Sequence, residues 1–182
     1  MWPHNKLDEV QRGLLEQNII EIGGDINEDM AFYVREALLR LVGKGSPSIK
    51  VLITSNGGSV RYGLDIHDGL KYYAGEKTGV VQGIAKSMAA VVLQACQKRH
   101  SLRHSWLLIH HVSTTEVSLD SLRDPAKMAK IKEDAETDQA RIYKILSDRT
   151  GHNVDEISAE CAKNQQMNAE EALSFGLIDE II

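Results

Sequence analysis

The chain has 182 residues, 42% of them hydrophobic and 26% charged, which are the proportions of one globular domain with a real core. A net charge of −5 and a pI near 5.8 argue against a surface built for nucleic acid or anionic membrane. No apolar run approaches the ~20 residues of a membrane span, and Met1–Glu9 lacks the basic-then-apolar layout of a secretory signal.

In chain order, a short N-terminal segment (1–17) precedes a strand-like run, Asn18 to Ile22. A helix is expected from about Glu28 to Leu41, with Asn27 as cap, Glu28 and Asp29 in its first turn, and Gly43 beyond its end. Its apolar stripe is Ala31, Val34, Leu38 and Leu41. A second strand, Ile49 to Ile53, runs into Thr54-Ser55-Asn56-Gly57-Gly58-Ser59-Val60 and then a helix-like stretch from Val60 to Tyr73. Paired glycines after a strand let the backbone approach a ligand closely and point N–H groups at a carbonyl oxygen or an extended peptide. Read alone, Asn-Gly-Gly is an ordinary turn.

A third strand, Thr78 to Gln82, leads into Gly83-Ile84-Ala85-Lys86-Ser87-Met88, read as a tight small-residue turn, and a helix from Met88 to Cys96. Strands each followed by a helix imply right-handed crossovers and a mainly parallel sheet. Trp106 to Ile109 reads as a buried strand with His110 at its end. Asp124 to Thr150 is a long helical pattern whose first half is alanine and charge, with little to bury against its own core. Asn168-Ala169-Glu170-Glu171 is a capping box opening a short helix that Gly176 stops. No repeat or linker divides the chain, so residues 1–182 form a single domain. Cys96 and Cys161, both in helix-like segments, fit no metal or redox spacing and are expected as reduced, packed thiols of a cytoplasmic protein.

Ser87 sits where a strand meets a helix, beside backbone N–H groups that have no intrahelical partner. That placement suits a nucleophile whose intermediate carries an oxyanion; it equally suits a helix-capping serine. His110 is a candidate general base once an exposed serine and a glycine loop accompany it. Lys86 is a rival base in a serine–lysine dyad. His100, His104, His110 and His111 are a conceivable zinc set, although no acidic ligand has the expected spacing.

In this order and spacing the residues resemble the Clp protease proteolytic subunit (ClpP) family, from about Leu14 to Ile182. The resemblance rests on Asn56-Gly57-Gly58, Gly83-Ile84-Ala85-Lys86-Ser87-Met88, Ile109-His110, Ala169-Glu170-Glu171-Ala172 and Gly176-Leu177-Ile178-Asp179. It implies an α/β, crotonase-like fold of repeated β-α units with a mainly parallel sheet, and a protruding handle helix in the region of about 111–150. It also implies a serine endopeptidase that hydrolyses unfolded polypeptides inside an oligomeric chamber, with no cofactor or metal. Ser87 is then the nucleophile, His110 the base, and the N–H groups of Gly58 and Met88 the oxyanion hole. Gly57, Gly58, Ser59 and Val60 bind substrate. The implied partners are further copies, in seven-membered rings, single or stacked in pairs, and an AAA+ ATPase unfoldase.

Several positions depart from the family pattern. The aspartate that precedes the Ala-Glu-Glu-Ala helix is matched by Asn164, which can orient a histidine but carries no charge for the imidazolium. Glu160 is the nearest carboxylate substitute. Ala162 and Lys163 replace an acid–arginine pair, Lys50 and Leu52 stand where docking aromatics are common, and Val112-Ser113-Thr114-Thr115-Glu116-Val117 replaces a glycine-rich groove strand. Two other functional classes stay open on sequence alone. One is a weakly active or non-catalytic ring subunit assembling with an active homologue. The other is an acyl-CoA enzyme of the crotonase fold, against which the Ser-His pair argues.

Overall fold

A computed structural model describes residues 7–113 and 117–182. The start of the N-terminal segment, and Thr114, Thr115 and Glu116 of the segment expected at the groove, lie outside the described residues. The elements run α1 (Glu9–Glu16), β1 (Ile19–Ile26), α2 (Glu28–Gly43), β2 (Ile49–Gly58), α3 (Val60–Tyr72), β3 (Lys77–Lys86) and α4 (Met88–Leu93). They continue β4 (Lys98–Ser101), β5 (Trp106–Leu108), α5 (Leu119–Arg123), α6 (Pro125–Thr150), α7 (Val154–Lys163), β6 (Met167–Asn168), α8 (Ala169–Phe175) and β7 (Glu180–Ile181). The sheet order is β1-β2-β3-β4-β7, all neighbours parallel, as the alternation of strand and helix implies.

Local chemistry sets the helix ends. Asn27 Oδ1 accepts from the Met30 N–H, and Asn168 and Glu171 close a reciprocal capping box at α8. Asp124 caps α6 and Pro125 occupies its first turn, while Gly151, at φ 82°, ends it in the left-handed conformation. The second helix runs on through Gly43, because Lys44 rather than the glycine closes it.

β2 alternates strictly: Ile49, Val51, Ile53 and Ser55 are buried while Lys50 and Thr54 face outward. Ile20 and Ile22 of β1 and Val81 and Ala85 of β3 complete the buried face with Val34, Leu41, Ile66 and Leu70 from the helices. The turn expected from Gly83 onward is strand as far as Lys86. Thr78–Val81 of β3 pair with β4, then Ile84–Lys86 pair with β5. Gly83, at φ 80°, makes the bend between the two partners, and its N–H donates to Ser105 Oγ at 2.9 Å.

Two buried cations tie the far side together. Arg99 of β4 is paired bidentately with the Asp179 carboxylate and donates to Gln94 Oε1 (2.7 Å) and the Gly176 carbonyl (2.8 Å), pinning the C-terminal strand. Burial alone would raise the Asp179 pKa, but Arg99 outweighs it and holds the carboxyl below its ordinary value. Lys77 Nζ is satisfied by the Tyr73 and Gly75 carbonyls, each at 2.8 Å, beyond the end of α3.

α6 divides in two. Its buried side chains, Ile142, Tyr143 and Leu146, all lie in the C-terminal half. The first half carries charge pairs along its own surface, such as Lys130–Asp134 and Lys132–Glu136.

Candidate active site

One residue joins β3 to α4, and it is Ser87. Its backbone, at φ 53° and ψ −127°, lies where residues with a side chain pay about 1–3 kcal/mol. Neighbours on both sides impose that conformation. The Ser87 N–H donates to the Leu108 carbonyl of β5 at 2.8 Å, and its own carbonyl accepts from Ala90 (3.1 Å) and Val91 (3.3 Å). Ser87 stands at the N-cap position of α4, yet its hydroxyl makes no capping hydrogen bond. The capping role that sequence alone allows is therefore not the one taken, and the Oγ is left for another partner.

The glycine pair is required by close packing. A Cβ on Gly57 (φ 96°) would lie 2.7 Å from both the Lys86 carbonyl oxygen and Ser87 Cβ, and 3.0 Å from the Met88 nitrogen. A Cβ on Gly58 would collide with the backbone of Ile26 in β1. The end of β2 is thereby seated directly on the serine elbow. The Gly57 N–H is already committed to Ser55 Oγ at 3.0 Å, and that hydroxyl is anchored on the Gly24 carbonyl at 2.5 Å. Met88 is the first residue of α4, so its N–H has no intrahelical acceptor.

His110 lies two residues beyond the end of β5. Gly58, Val60, Ser87, Met88 and His110 share one cavity of about 40 Å³, with apolar walls that include Ile109, Ile142 and Leu146. The structure thus brings together the proposed nucleophile, base and oxyanion donors from β2, α4 and the chain after β5. Gly57 abuts the site from behind, and Ser59 caps α3 by position without lining the cavity. Among the described residues neither the Ser87 hydroxyl nor the His110 ring has a hydrogen-bond partner.

The expected third member is Asn164. Asn164 ends α7 in the left-handed conformation (φ 48°, ψ 41°), is exposed, and donates its N–H to the Cys161 carbonyl at 3.2 Å. Among the described residues its side chain makes no hydrogen bond to His110, and it does not line the cavity. Asparagine tolerates this backbone region well, which gives the position a local reason for its residue type. Glu160 is held by Lys163 Nζ at 2.5 Å. Lys86 belongs to β3 and does not line the cavity. His100 lies 3.4 Å from Glu180, and no group of three or more His, Cys, Asp or Glu that could hold a metal occurs among the described residues. Likewise no described helix is long and apolar enough to cross a membrane.

Two contacts behind His110 have no signal in the sequence. His111 Nδ1 lies 2.6 Å from Tyr143 Oη, and the Val112 N–H donates to Gln139 Oε1 at 2.6 Å. Both partners stand about thirty residues further on, in α6.

Comparison with known proteins matches residues 4–182 to the Clp protease family model. The chain is 32% identical over 174 residues to the ATP-dependent Clp protease proteolytic subunit 1 of Salinibacter ruber, covering 93% of this chain and 72% of that one. It is 33% identical over 174 residues to the ATP-dependent Clp protease proteolytic subunit 2 of Chlamydia pneumoniae, covering 93% and 82%.

Proposed function

The chain belongs to the Clp protease family of serine peptidases, and on that premise we propose that Ser87 is its nucleophile, His110 its general base, and the N–H groups of Gly58 and Met88 its oxyanion hole. His110 takes the hydroxyl proton as Ser87 Oγ attacks the peptide carbonyl. The carbonyl oxygen, now an oxyanion, turns toward the Gly58 and Met88 N–H groups. Collapse expels the amine, which receives the proton from His110, and water repeats the sequence on the acyl-enzyme. The substrate is an unfolded polypeptide, lying extended along Gly57, Gly58, Ser59 and Val60. Asn164, which matches the family's third position, is the candidate orienter of His110.

The single observation that carries this reading is the serine elbow itself: a strained Ser87 whose hydroxyl refuses the cap it is placed to make, seated on Gly57 and sharing a cavity with His110. The test is fluorophosphonate labelling followed by peptide mapping. Label on Ser87, and loss of both label and peptidase activity in Ser87→Ala with the fold intact, is the expected result. An Ala variant that cleaves as fast as the parent overturns the assignment.

The working form is a ring, seven chains by family likeness and stacked in pairs where α6 meets α6, acting in the cytoplasm with an ATPase unfoldase. The outer half of α6, without a buried residue of its own, supports a role between subunits. Lys50 and Leu52, in place of aromatics, indicate a docking surface of altered chemistry toward the ATPase. Sedimentation tests the ring: a clean monomer at micromolar concentration refutes it.

A further inference from the structure

His110 lies in a stretch of chain, residues 109–113, that has left the sheet and has no helix of its own. A general base must nevertheless be held within a fraction of an ångström of its nucleophile to work well. On the near side, β5 is fixed by pairing with β3 and by the Ser87 N–H on the Leu108 carbonyl. On the far side, two side chains of one helix hold the residues that follow His110. Gln139 Oε1 accepts from the Val112 N–H at 2.6 Å, and Tyr143 Oη meets His111 Nδ1 at 2.6 Å. Gln139 and Tyr143 are four residues apart in α6, so they share a face. Tyr143 Oη also lies 3.2 Å from Ser158 Oγ, which links α7 to the same chain of contacts.

The amide of Gln139 shows what this arrangement costs. Among the described residues its Nε2 is buried without a hydrogen-bond partner. Turning the amide over would give that donor a different outlook, but it would set an NH₂ against the Val112 N–H. The orientation is therefore set by the Val112 N–H, and it is kept although the buried donor finds no partner among the described residues.

We infer that Gln139 and Tyr143 are positioning residues for the peptidase reaction, holding the Val112 N–H and the His111 side chain just after His110 so that the His110 ring faces Ser87. The inference rests on the Ser87–His110 reading above. Neither residue touches the reacting atoms; each acts through the chain that carries His110.

The experiment compares Gln139→Ala, Gln139→Glu, Tyr143→Phe and His111→Asn with the parent, in a peptidase assay at matched assembly state. Gln139→Ala and Tyr143→Phe are expected to lower kcat by ~10- to ~100-fold with KM little changed. Gln139→Glu retains an acceptor for the Val112 N–H and removes the orphan donor, and His111→Asn retains a polar atom near the Nδ1 position. Both are expected to recover most of the parental kcat. Parental kcat in Gln139→Ala and Tyr143→Phe overturns the inference, as does a kcat loss that follows loss of assembly or melting temperature in all four variants. Ser87→Ala, run beside them, separates the two levels. If it is as active as the parent, the site itself is misassigned; if it is dead while Tyr143→Phe and Gln139→Ala are normal, only the clamp fails.

Discussion

Adding one methyl group at Gly57 tests whether β2 sets the geometry of the serine elbow. Gly57→Ala places a Cβ 2.7 Å from the Lys86 oxygen and Ser87 Cβ and forces alanine to φ 96°. Gly151 supplies a control, since it has a similar φ, 82°, with nothing within 4 Å of its added Cβ. Gly151→Ala therefore carries only the left-handed strain, about 1 kcal/mol. Gly57→Ala adds about 1–3 kcal/mol of overpacking to that strain, because backbone and a pinned serine cannot move aside cheaply. At roughly 3 °C per kcal/mol for a chain of this size, the control should melt about 3 °C early and Gly57→Ala about 6–12 °C early. Both must be scanned at one protein concentration, since assembly shifts the midpoint. In the peptidase assay the control should match the parent, while Gly57→Ala loses about 100-fold in kcat as Ser87 and the Met88 N–H are displaced. Equal melting losses in the two variants, together with parental kcat for Gly57→Ala, would refute the idea that this contact shapes the site.

Three further outcomes follow from residues already described. If Asn164 orients His110 as proposed, Asn164→Asp adds a negative charge for the imidazolium and should raise kcat rather than KM, lowering the barrier by up to roughly 3 kcal/mol; an unchanged kcat at matched assembly state refutes that role for Asn164 and leaves it to another group, such as Glu160. Arg99 depresses the Asp179 pKa, so this pair contributes stability that is present above the ordinary aspartate pKa and lost as pH falls through the lower, folded value. Asp179→Asn should accordingly be less stable than the parent at pH 7, with the gap in denaturant midpoint closing on acidification; a gap independent of pH contradicts the assignment. Burial pushes the Cys96 thiol up to about 12 and Cys161 to about 11, so neither should react with an alkylating reagent at pH 8 until the protein is unfolded, as mass spectrometry of the intact chain can show.

Elements whose limits are set by nearby residues are the ones legible in the sequence. α8 follows from Asn168 and Glu171, and α6 from Asp124, Pro125 and Gly151. The Asp8–Gln11 capping box of α1 is an equally local signal for the helix over Glu9–Glu16. β3 is misread as turn beyond Gln82 because its partners there, Trp106 to Leu108, are distant in the chain. At the site, Gly58, Ser87 and His110, picked out by their order and spacing, line one cavity, and Gly57 packs behind Ser87. Alignment gives Asn164 its place along the chain but no information on where its side chain goes, which depends on how α7 ends. Gln139 and Tyr143 are invisible for a similar reason: nothing local to α6 marks which of its polar residues will meet the chain after β5.

The division of α6 makes this chain two thermal systems sharing one helix. Its inner half melts with the globular body, as part of a single cooperative unit. Its outer half rests on pairs such as Lys130–Asp134 and Lys132–Glu136, each worth a few tenths of a kcal/mol (about 0.2–0.5). A segment of that length is marginal on its own and obeys helix–coil statistics, shortening gradually with heat and with added salt. In a lone chain calorimetry would register the first system alone, while circular dichroism at 222 nm would register both.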